Sequence, residues 1–498
     1  MGRLTAARNP PRPFLASVLA LLCPLAAAQG PDNGGPDNRG PDVAGRPLAS
    51  EEAGPSKEAG PAEPVVARSG EFFVDQAAFD HALLLRHSGT DRGRAALEDL
   101  AGRKLLEVLA VKQGLAVDED DLAERFAELD AEARANGADG GLRRLLEAEG
   151  VSLELFKERL RLQIVLERLV RLDLGIPADR PCTPEHQQFW LDAQVSERGI
   201  APLPRPWTNG VAATVGQTID LEARSWADAL RTQMPVEDLR ELAFQLVLAQ
   251  AVTARLPDLS PEGIELAVRA EVQRRGAEAE ADPAYQGVSF ESLLATRGLT
   301  PELLAQDPAV RIAGLSTLFV DRSKGEAGLR AAYEAERDWF DDRFGKAVRA
   351  RILYLVAAPE RGPLTPRTFA DAEEVLVGLK AKIATEADFE RLARTQSEDP
   401  LSRDRGGDLG FVVPASENVP PAVRDEIFVQ HGAGRTGLVG PIRLDNGVAL
   451  LWLGTILPPP PWEEMKTHVH RELRRRFLVE TLPPGSIQTV FDGPDSDE

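Results

Sequence analysis

The most informative stretch of this chain is Ser397–Phe411, which reads SEDPLSRDRGGDLGF. A helical pattern over Asp388–Arg394 precedes it, and a strand-like segment over Gly437–Leu453 follows at a distance. Within the stretch, the segment Gly406–Gly410 (GGDLG) contains three glycines, which permit backbone angles that other residues avoid. The stretch therefore predicts a tight turn that leads into a strand.

The elements predicted around this turn have a definite order. The patterns predict a strand, two helices, the glycine-rich turn, a short helix and further strands, over Arg349–Val356, Thr368–Ala384, Asp388–Ser397, Pro420–Phe428 and Gly440–Leu453. With these flanks, residues 346–456 resemble the parvulin-type (PpiC, rotamase) peptidyl-prolyl cis–trans isomerases. The resemblance implies a four-stranded antiparallel sheet with surrounding helices.

The region upstream of the turn is helical and is predicted to be duplicated. Three segments recur in the same order at nearly one spacing: Leu97–Ala101 with Leu239–Ala243, Val117–Leu122 with Leu259–Ile264, and Gly150–Leu155 with Gly298–Leu303. Ser152, Ser260 and Thr300 are each placed as caps at helix starts. The alternative is that unrelated amphipathic helices look alike. The paired units resemble the helical domains of exported SurA-like and PrsA-like chaperones.

These observations predict an α+β protein in which a duplicated, mostly helical chaperone-like region precedes a parvulin-like domain. The predicted boundaries are a signal peptide (1–28), a disordered Gly/Pro/acidic linker (29–68), helical unit 1 (69–195), helical unit 2 (196–345), the parvulin-like domain (346–456), and a C-terminal helix with an acidic tail (457–498).

The composition and the N-terminus bound the location and the partners. Across 498 residues the net charge is −21, which argues against nucleic acid and anionic membrane surfaces as partners. Basic residues, the apolar run Phe14–Leu25 and small residues before Gln29 predict a cleavable secretory signal, with a retained membrane anchor as the alternative. Leu22 precedes Cys23 where a lipoprotein signal needs a small residue. The predicted location is periplasmic or secreted, and no membrane span is expected after cleavage.

The resemblance implies a set of site residues for binding an X-Pro segment. Asp399 occupies the position that faces the isomerising carbonyl, and an alternative is that Asp399 only stabilises a turn. The positions of the proline pocket and its surroundings are Val419, Val423, Phe428, Arg351, Asn446 and Ala449. Valine is smaller than the Met and Phe that the family carries at the first two positions.

The two histidines of the family's hydrogen-bond network are absent, because Arg351 and Ala449 stand in their places. The resemblance implies a peptidyl-prolyl isomerase, but the small pocket and the missing network predict weak activity or its loss. His468 and His470 are two residues apart on a predicted helix, so they do not share a face and make a poor metal site. We expect no metal and no cofactor.

Three functions remain open at this stage. The first is an exported folding factor that isomerises X-Pro bonds of unfolded clients. The second is a catalytically inactive holdase or scaffold of the cell envelope that uses the parvulin fold to bind peptides. The third is a structural or secreted matrix component. The two chaperone functions require a client-sized apolar groove between the helical units. Client binding is favoured if Leu166, Leu169 and their counterparts in the second copy face a common cleft, and disfavoured if they are packed into one closed core.

Overall fold

The computed structural model describes residues 64–492, except 139, 149–150, 208, 363–364 and 366. Within this part, residues up to 314 join residues 484–492 in one compact unit, and residues 315–483 form a second. The predicted signal peptide and the end of the acidic tail lie outside the described residues. A strand begins at Val65, so the linker predicted over 29–68 ends earlier than expected.

The first unit contains helices and two small antiparallel sheets, and its last helix continues into the second unit. Its elements are β1 (Val65–Ser69), β2 (Phe72–Asp75), α1 (Gln76–His87), α2 (Asp91–Gln113), α3 (Glu119–Ala135), α4 (Gly141–Ala148), α5 (Leu153–Leu174), α6 (Pro184–Arg198), β3 (Ile200–Pro202), β4 (Val211–Val215), β5 (Ile219–Glu222), α7 (Ala223–Arg231), α8 (Val236–Ala254), α9 (Pro261–Ala281), α10 (Phe290–Ala295), α11 (Pro301–Leu304), α12 (Pro308–Ala335) and β10 (Gln488–Thr489).

The order of these elements repeats, as the sequence predicted. The hairpin β1–β2 leads directly into α1 and α2, and the hairpin β4–β5 leads in the same way into α7 and α8. The predicted caps are present, because the hydroxyls of Ser152, Ser260 and Thr300 each accept the backbone N–H three residues further on. Neither hairpin was predicted from the sequence.

The two copies are interlocked. In the first copy the hairpin β1–β2 packs on α8 of the second, while α7 of the second packs on α1 and α2 of the first. Buried Trp226 of α7 donates its indole N–H to the carbonyl of Gly93 on α2 at 2.9 Å. In the reciprocal place, Gln250 of α8 donates to the carbonyl of Phe73 on β2 at 2.8 Å. Each copy therefore completes the core of the other.

Leu166 and Leu169 belong to a closed core and do not line a cleft. Both are 3% exposed and pack with Leu106 of α2 and Trp190 of α6. These two leucines are therefore not available to bind a client, and this packing counts against client binding at this place.

The second unit combines a helical cluster with a four-stranded sheet. Besides the end of α12, it contains α13 (Arg337–Phe344), β6 (Ala347–Val356), α14 (Phe369–Lys380), α15 (Glu386–Gln396), β7 (Asp408–Val412), α16 (Pro421–Gly432), β8 (Gly437–Leu444), β9 (Gly447–Leu457) and α17 (Trp462–Thr481). The strand order is β7-β6-β9-β8, and all pairs are antiparallel. The predicted α+β class is confirmed.

The sheet separates two apolar layers. On one face, Ile352 of β6 and Ala449 of β9 pack against Val423 of α16. On the other face, Leu353 and its neighbours pack against α14 and α15. This division follows from strand geometry, because successive side chains point to opposite faces. We call the face that carries Ile352, Ala449 and α16 the α16 face. In the described part of the chain, no helix is long and apolar enough to cross a membrane.

Candidate functional site

The glycine-rich turn is fixed to the central strand of the sheet. The N–H of Ile352 donates to the carbonyl of Gly407 at 2.8 Å. Gly406, Gly407 and Gly410 all have positive φ, between +68° and +78°. A Cβ at Gly407 would lie 2.2 Å from the carbonyl oxygen of Ile352, so a side chain does not fit there. The glycines of the motif therefore allow the backbone of the turn to approach β6 closely.

Asp399 lies at the start of this turn and is half-buried. Its carboxylate accepts the backbone N–H of Ser402 at 3.1 Å and the hydroxyl of the same serine, and Leu401 N–H is 3.4 Å away. These contacts are those of a turn-stabilising aspartate. In this structure the Asp399 side chain stabilises the turn. Its role opposite a substrate carbonyl stays a prediction.

The two valines predicted for the proline pocket are covered by protein. Val419 is 2% exposed and Val423 is fully buried, and both pack with Ile352, Ile427 and Ala449 in one apolar cluster. Phe428 is only partly buried and packs against the same cluster. A proline ring could therefore contact these valines only if their neighbours moved.

Arg351 lies on the opposite face from the other predicted site residues, which corrects the expectation that it borders the pocket. Its guanidinium pairs with Glu386 of α15 at 2.9 Å and with Glu390 at 3.5 Å. It also donates to the carbonyl oxygens of Arg405 and Gly406, each at 3.3 Å. The physical reason is the alternation of β6, which directs residue 351 toward α15 and residues 352 and 354 toward the α16 face. Arg351 supports the glycine-rich turn from behind.

Asn446 lies in the tight turn between β8 and β9, next to a residue that the sequence analysis missed. The hydroxyl of Tyr354 donates to the carbonyl oxygen of Asn446 at 2.6 Å and lies 2.9 Å from its Oδ1. Tyr354 is paired with Ala449 in the register of β6 and β9 and packs on the apolar cluster of the α16 face. The alternation of β6 from Ile352 was the signal that could have identified it.

The charges around the site are mostly paired. The carboxylate of Glu398 binds the guanidinium of Arg367, and this hydrogen bond lowers the pKa of Glu398, although burial alone would raise it. Burial would also raise the pKa of Asp408, but the N–H of Gly410 and the side chain of Arg349 lower it overall. Both carboxylates are therefore ionised near neutral pH.

No histidine of the described residues lies on the α16 face of the sheet itself. His431 is in the last turn of α16, and its ring lies 6.0 Å from that of Phe428. His468 stacks on Phe344 in the helical cluster. Within the described residues, no three His, Cys, Asp or Glu side chains are grouped so that they could hold a metal ion.

Comparison with known proteins confirms the resemblance for this region. Residues 345–448 match the family model described as the PPIC-type PPIASE domain. The predicted relation to the parvulin-type isomerases is thereby confirmed. The match ends just before the central part of β9, and it includes the glycine-rich turn, Asp399, both valines and Asn446.

Two curated relatives share parts of the chain. YacD of Bacillus subtilis, named provisionally as a peptidyl-prolyl cis-trans isomerase, is 29% identical over 33% of this chain and 49% of its own length. The foldase protein PrsA 2 of Bacillus cereus is 30% identical over 21% of this chain and 35% of its own length. The chain thus spans half or less of the length of these relatives.

Solved structures of similar proteins include PrsA of Bacillus anthracis and PrsA of Streptococcus pneumoniae. The first is 18% identical and covers 48% of this chain and 89% of its own, with a TM-score of 0.24. The second is also 18% identical and covers 56% of this chain and 90% of its own, with a TM-score of 0.25.

Proposed function

We propose that this protein is an exported folding factor that binds unfolded polypeptide chains and acts only weakly on X-Pro bonds. The observation that carries the second half of this proposal is the burial of Val419 and Val423. Isomerisation requires that the twisted amide bind more tightly than the planar one, which in turn needs a grip on the proline ring. Val419 and Val423 are short and buried, so they offer few contacts to a proline ring.

The first compact unit supports the chaperone half of the proposal. A groove of about 530 Å³ runs between the two copies, from Leu84 and Leu85 of α1 to Trp207 and Val211 of the second copy. A neighbouring cavity of about 730 Å³ is lined by Ile264, Val268 and Val272 of α9, together with residues of α11. His81 and Gln306 line both cavities.

The chemistry of these cavities suits an extended peptide. An apolar floor takes up side chains of any hydrophobic type, while the amides of Gln273 and Gln306 can pair with a peptide backbone without reading its sequence. The nucleic-acid and membrane classes remain disfavoured by the acidic charge. Both chaperone functions require a groove between the copies, whereas a matrix component does not. The groove therefore favours the chaperone functions.

The proposal is tested by the ability of the protein to suppress aggregation of a chemically unfolded model protein. We expect Ile264→Ser and Trp207→Ala to weaken client binding about fivefold or more, because the first removes apolar contact area from the cavity and the second from the groove, roughly 1 kcal/mol or more. Val111→Ser is the matched control, because Val111 is 82% exposed on α2 and does not line either cavity. Equal client binding by all variants would contradict the proposed surface.

An inactive holdase is the second candidate, and the covered valines favour it as well. The two candidates differ only in residual isomerase activity. A protein that suppresses aggregation but gives no acceleration of X-Pro isomerisation would be a holdase, whereas a slow but saturable acceleration would make it a weak isomerase.

A further inference from the structure

Arg311 lies near the start of α12 and lines two cavities of the first unit. One is the cavity of about 730 Å³ beside α9 and α11, which we call the α9 cavity. The other, of about 460 Å³, lies beside α8, with Leu246 and Ala249 in its wall. Gln306 lines both as well, so the two cavities adjoin at Arg311 and Gln306. Each volume is within the range of roughly 300–1,000 Å³ that is typical of ligand pockets.

Arg311 is half-buried, and its guanidinium has no carboxylate partner among the described residues. Its Nε donates to the hydroxyl of Thr253 on α8 at 3.3 Å, and neither Nη group has a hydrogen-bond partner in the described part of the chain. Asp307, just before α12, pairs with Arg86 instead, at 2.8 Å. Burial lowers the pKa of Arg311, but a guanidinium stays protonated at neutral pH. Arg311 is therefore a charged group whose two Nη groups are free for a ligand.

Arg205 shows the contacts of a structural arginine in the same unit. Its Nη2 donates to the carbonyl oxygen of Leu84 at 2.7 Å and to the hydroxyl of Ser88, and its guanidinium lies 4.7 Å from the ring centroid of Trp207. These contacts attach Arg205 to the C-terminal end of α1, where a positive charge is favoured. Among the described residues, the guanidinium of Arg311 has neither a backbone carbonyl nor an aromatic ring as partner. Its one side-chain hydrogen bond therefore does not account for its two Nη groups.

The walls around Arg311 favour a carboxylate that carries an apolar group. Val268 is 5% exposed, and together with Ile264 and Val272 it forms the apolar side of the α9 cavity. The C-terminal residue of a polypeptide can supply an α-carboxylate and an apolar side chain together. An internal Asp or Glu uses its side chain for the charge, so it brings no apolar group on the same residue. The site therefore fits a chain end better than an internal acidic residue.

The polar residues of the α9 cavity narrow the choice of ligand further. The amides of Gln273 and Gln306 can pair with a peptide backbone, whereas a fatty-acid chain has no group to pair with them. Glu265 and Glu302 are exposed in the lining and repel a segment that carries several carboxylates. A polypeptide end with a single carboxylate meets both conditions.

We propose that the α9 cavity binds the free C-terminal end of an unfolded polypeptide, with its α-carboxylate held by both Nη groups of Arg311 and its last, apolar side chain against Ile264 and Val268. Two parallel N–H···O bonds to one carboxylate are the arrangement that a guanidinium favours. This inference rests on the proposed function and deepens it, because it adds selection for a chain end to a surface that otherwise accepts any apolar segment.

The test is the affinity of the full chain for one short apolar peptide that ends in leucine, made with a free C-terminal carboxylate and with a C-terminal amide. We expect wild type to bind the free acid at least about tenfold more tightly, because the amide loses the charge-assisted hydrogen bonds. Arg311→Gln should abolish this preference. Arg311→Lys should keep only part of it, since an ammonium group lacks the planar fork of a guanidinium.

Arg161→Gln is the control for the loss of one positive charge. Arg161 pairs with Glu119 at 2.9 Å and lines neither cavity, so this variant should keep the preference for the free acid. Thermal unfolding of each variant is measured alongside, and the comparison of the two peptides on wild type tests the inference even if an Arg311 variant unfolds.

The outcomes separate this inference from the proposed function. Equal affinity of wild type for the acid and the amide, or a preference that survives in Arg311→Gln, would overturn this inference alone. So would an amidated peptide with one internal glutamate that binds as tightly as the free acid, or decanoate that binds more tightly than the peptide. If wild type binds neither peptide, this inference fails, and the proposed function fails with it only if aggregation of an unfolded client is not suppressed either.

Discussion

At Gly407 the backbone φ is +78°, and the carbonyl of Ile352 occupies the space that a side chain would need. We predict that Gly407→Ala lowers the free energy of unfolding by at least about 2 kcal/mol, the sum of a left-handed backbone cost and a backbone clash. The change in free energy is measured by denaturant unfolding of the full chain, monitored with a spectroscopic signal from the second unit.

Gly378 offers the matched control for this substitution. It lies exposed inside α14, and an added Cβ would meet nothing within 4 Å. Gly378→Ala should therefore raise the free energy of unfolding by about 0.5–1 kcal/mol, because alanine favours the helix. Equal effects at the two positions would contradict the close approach of the turn to β6.

Glu398 gives the site a pH dependence whose sign follows from its lowered pKa. A carboxylate with a folded pKa below its ordinary 4.5 stabilises the protein above that pH, and the contribution is lost as the pH falls further. We predict that Glu398→Gln is less stable than wild type at pH 7 by up to about 1 kcal/mol, since the carboxylate is partly exposed. The difference should shrink as the pH falls below 4.5 in thermal unfolding. A difference independent of pH would exclude the charge of Glu398 as its source.

Single residues also show what the sequence could and could not predict at the site. The turn predicted at the glycines is present because it is a local motif. The roles of Asp399 and the two valines came from the resemblance and stay predictions. The prediction that Arg351 borders the pocket was wrong, because residues that are one position apart along a strand point to opposite faces of the sheet. Tyr354 was missed because its partner Asn446 is 92 residues away along the chain, and only the pairing of β6 with β9 brings them together.

At the scale of elements, helices were predicted well and the short hairpins were not. Caps such as Ser152 and Thr300 are local signals, so the helix starts that they mark were correct. The hairpin β4–β5 has an alternation in which Ile219 and Leu221 are buried and the residues between and after them are exposed. Four residues were too short a run to distinguish from the surrounding helical patterns.

The packing of α7 on α2 yields a prediction at this scale. Trp226→Phe removes the indole donor and leaves the carbonyl of Gly93 without this buried partner. We expect the free energy of unfolding of the first unit to fall by about 0.5–1.5 kcal/mol, the usual net contribution of one hydrogen bond, because the Gly93 carbonyl keeps its helical partner. Trp207→Phe is the control, because its indole bond to Leu203 is exposed and should cost less. A neutral Trp226→Phe variant would contradict the close contact between the copies.

At the scale of the whole molecule, the two helical copies form one interlocked body and not two consecutive domains. A protease site inserted in the connector near residue 204 would cut the chain between the copies. We predict that the two pieces stay together in size-exclusion chromatography, because each copy contributes a hairpin and a helix to the core of the other. The experiment is repeated on a chain ending at residue 483, which removes the pairing of β10 with β1. Pieces that separate under native conditions would contradict the interlocked arrangement.

The most direct test of the proposed function is the rate at which the full-length protein accelerates cis–trans isomerisation of a short X-Pro peptide. Wild type, Asp399→Ala and Val423→Phe are compared, with aggregation suppression measured on the same preparations. The account predicts weak or no acceleration by wild type while an unfolded client is still held in solution. Efficient, saturable turnover by wild type that disappears in Asp399→Ala would contradict it, because the covered valines would then not limit catalysis.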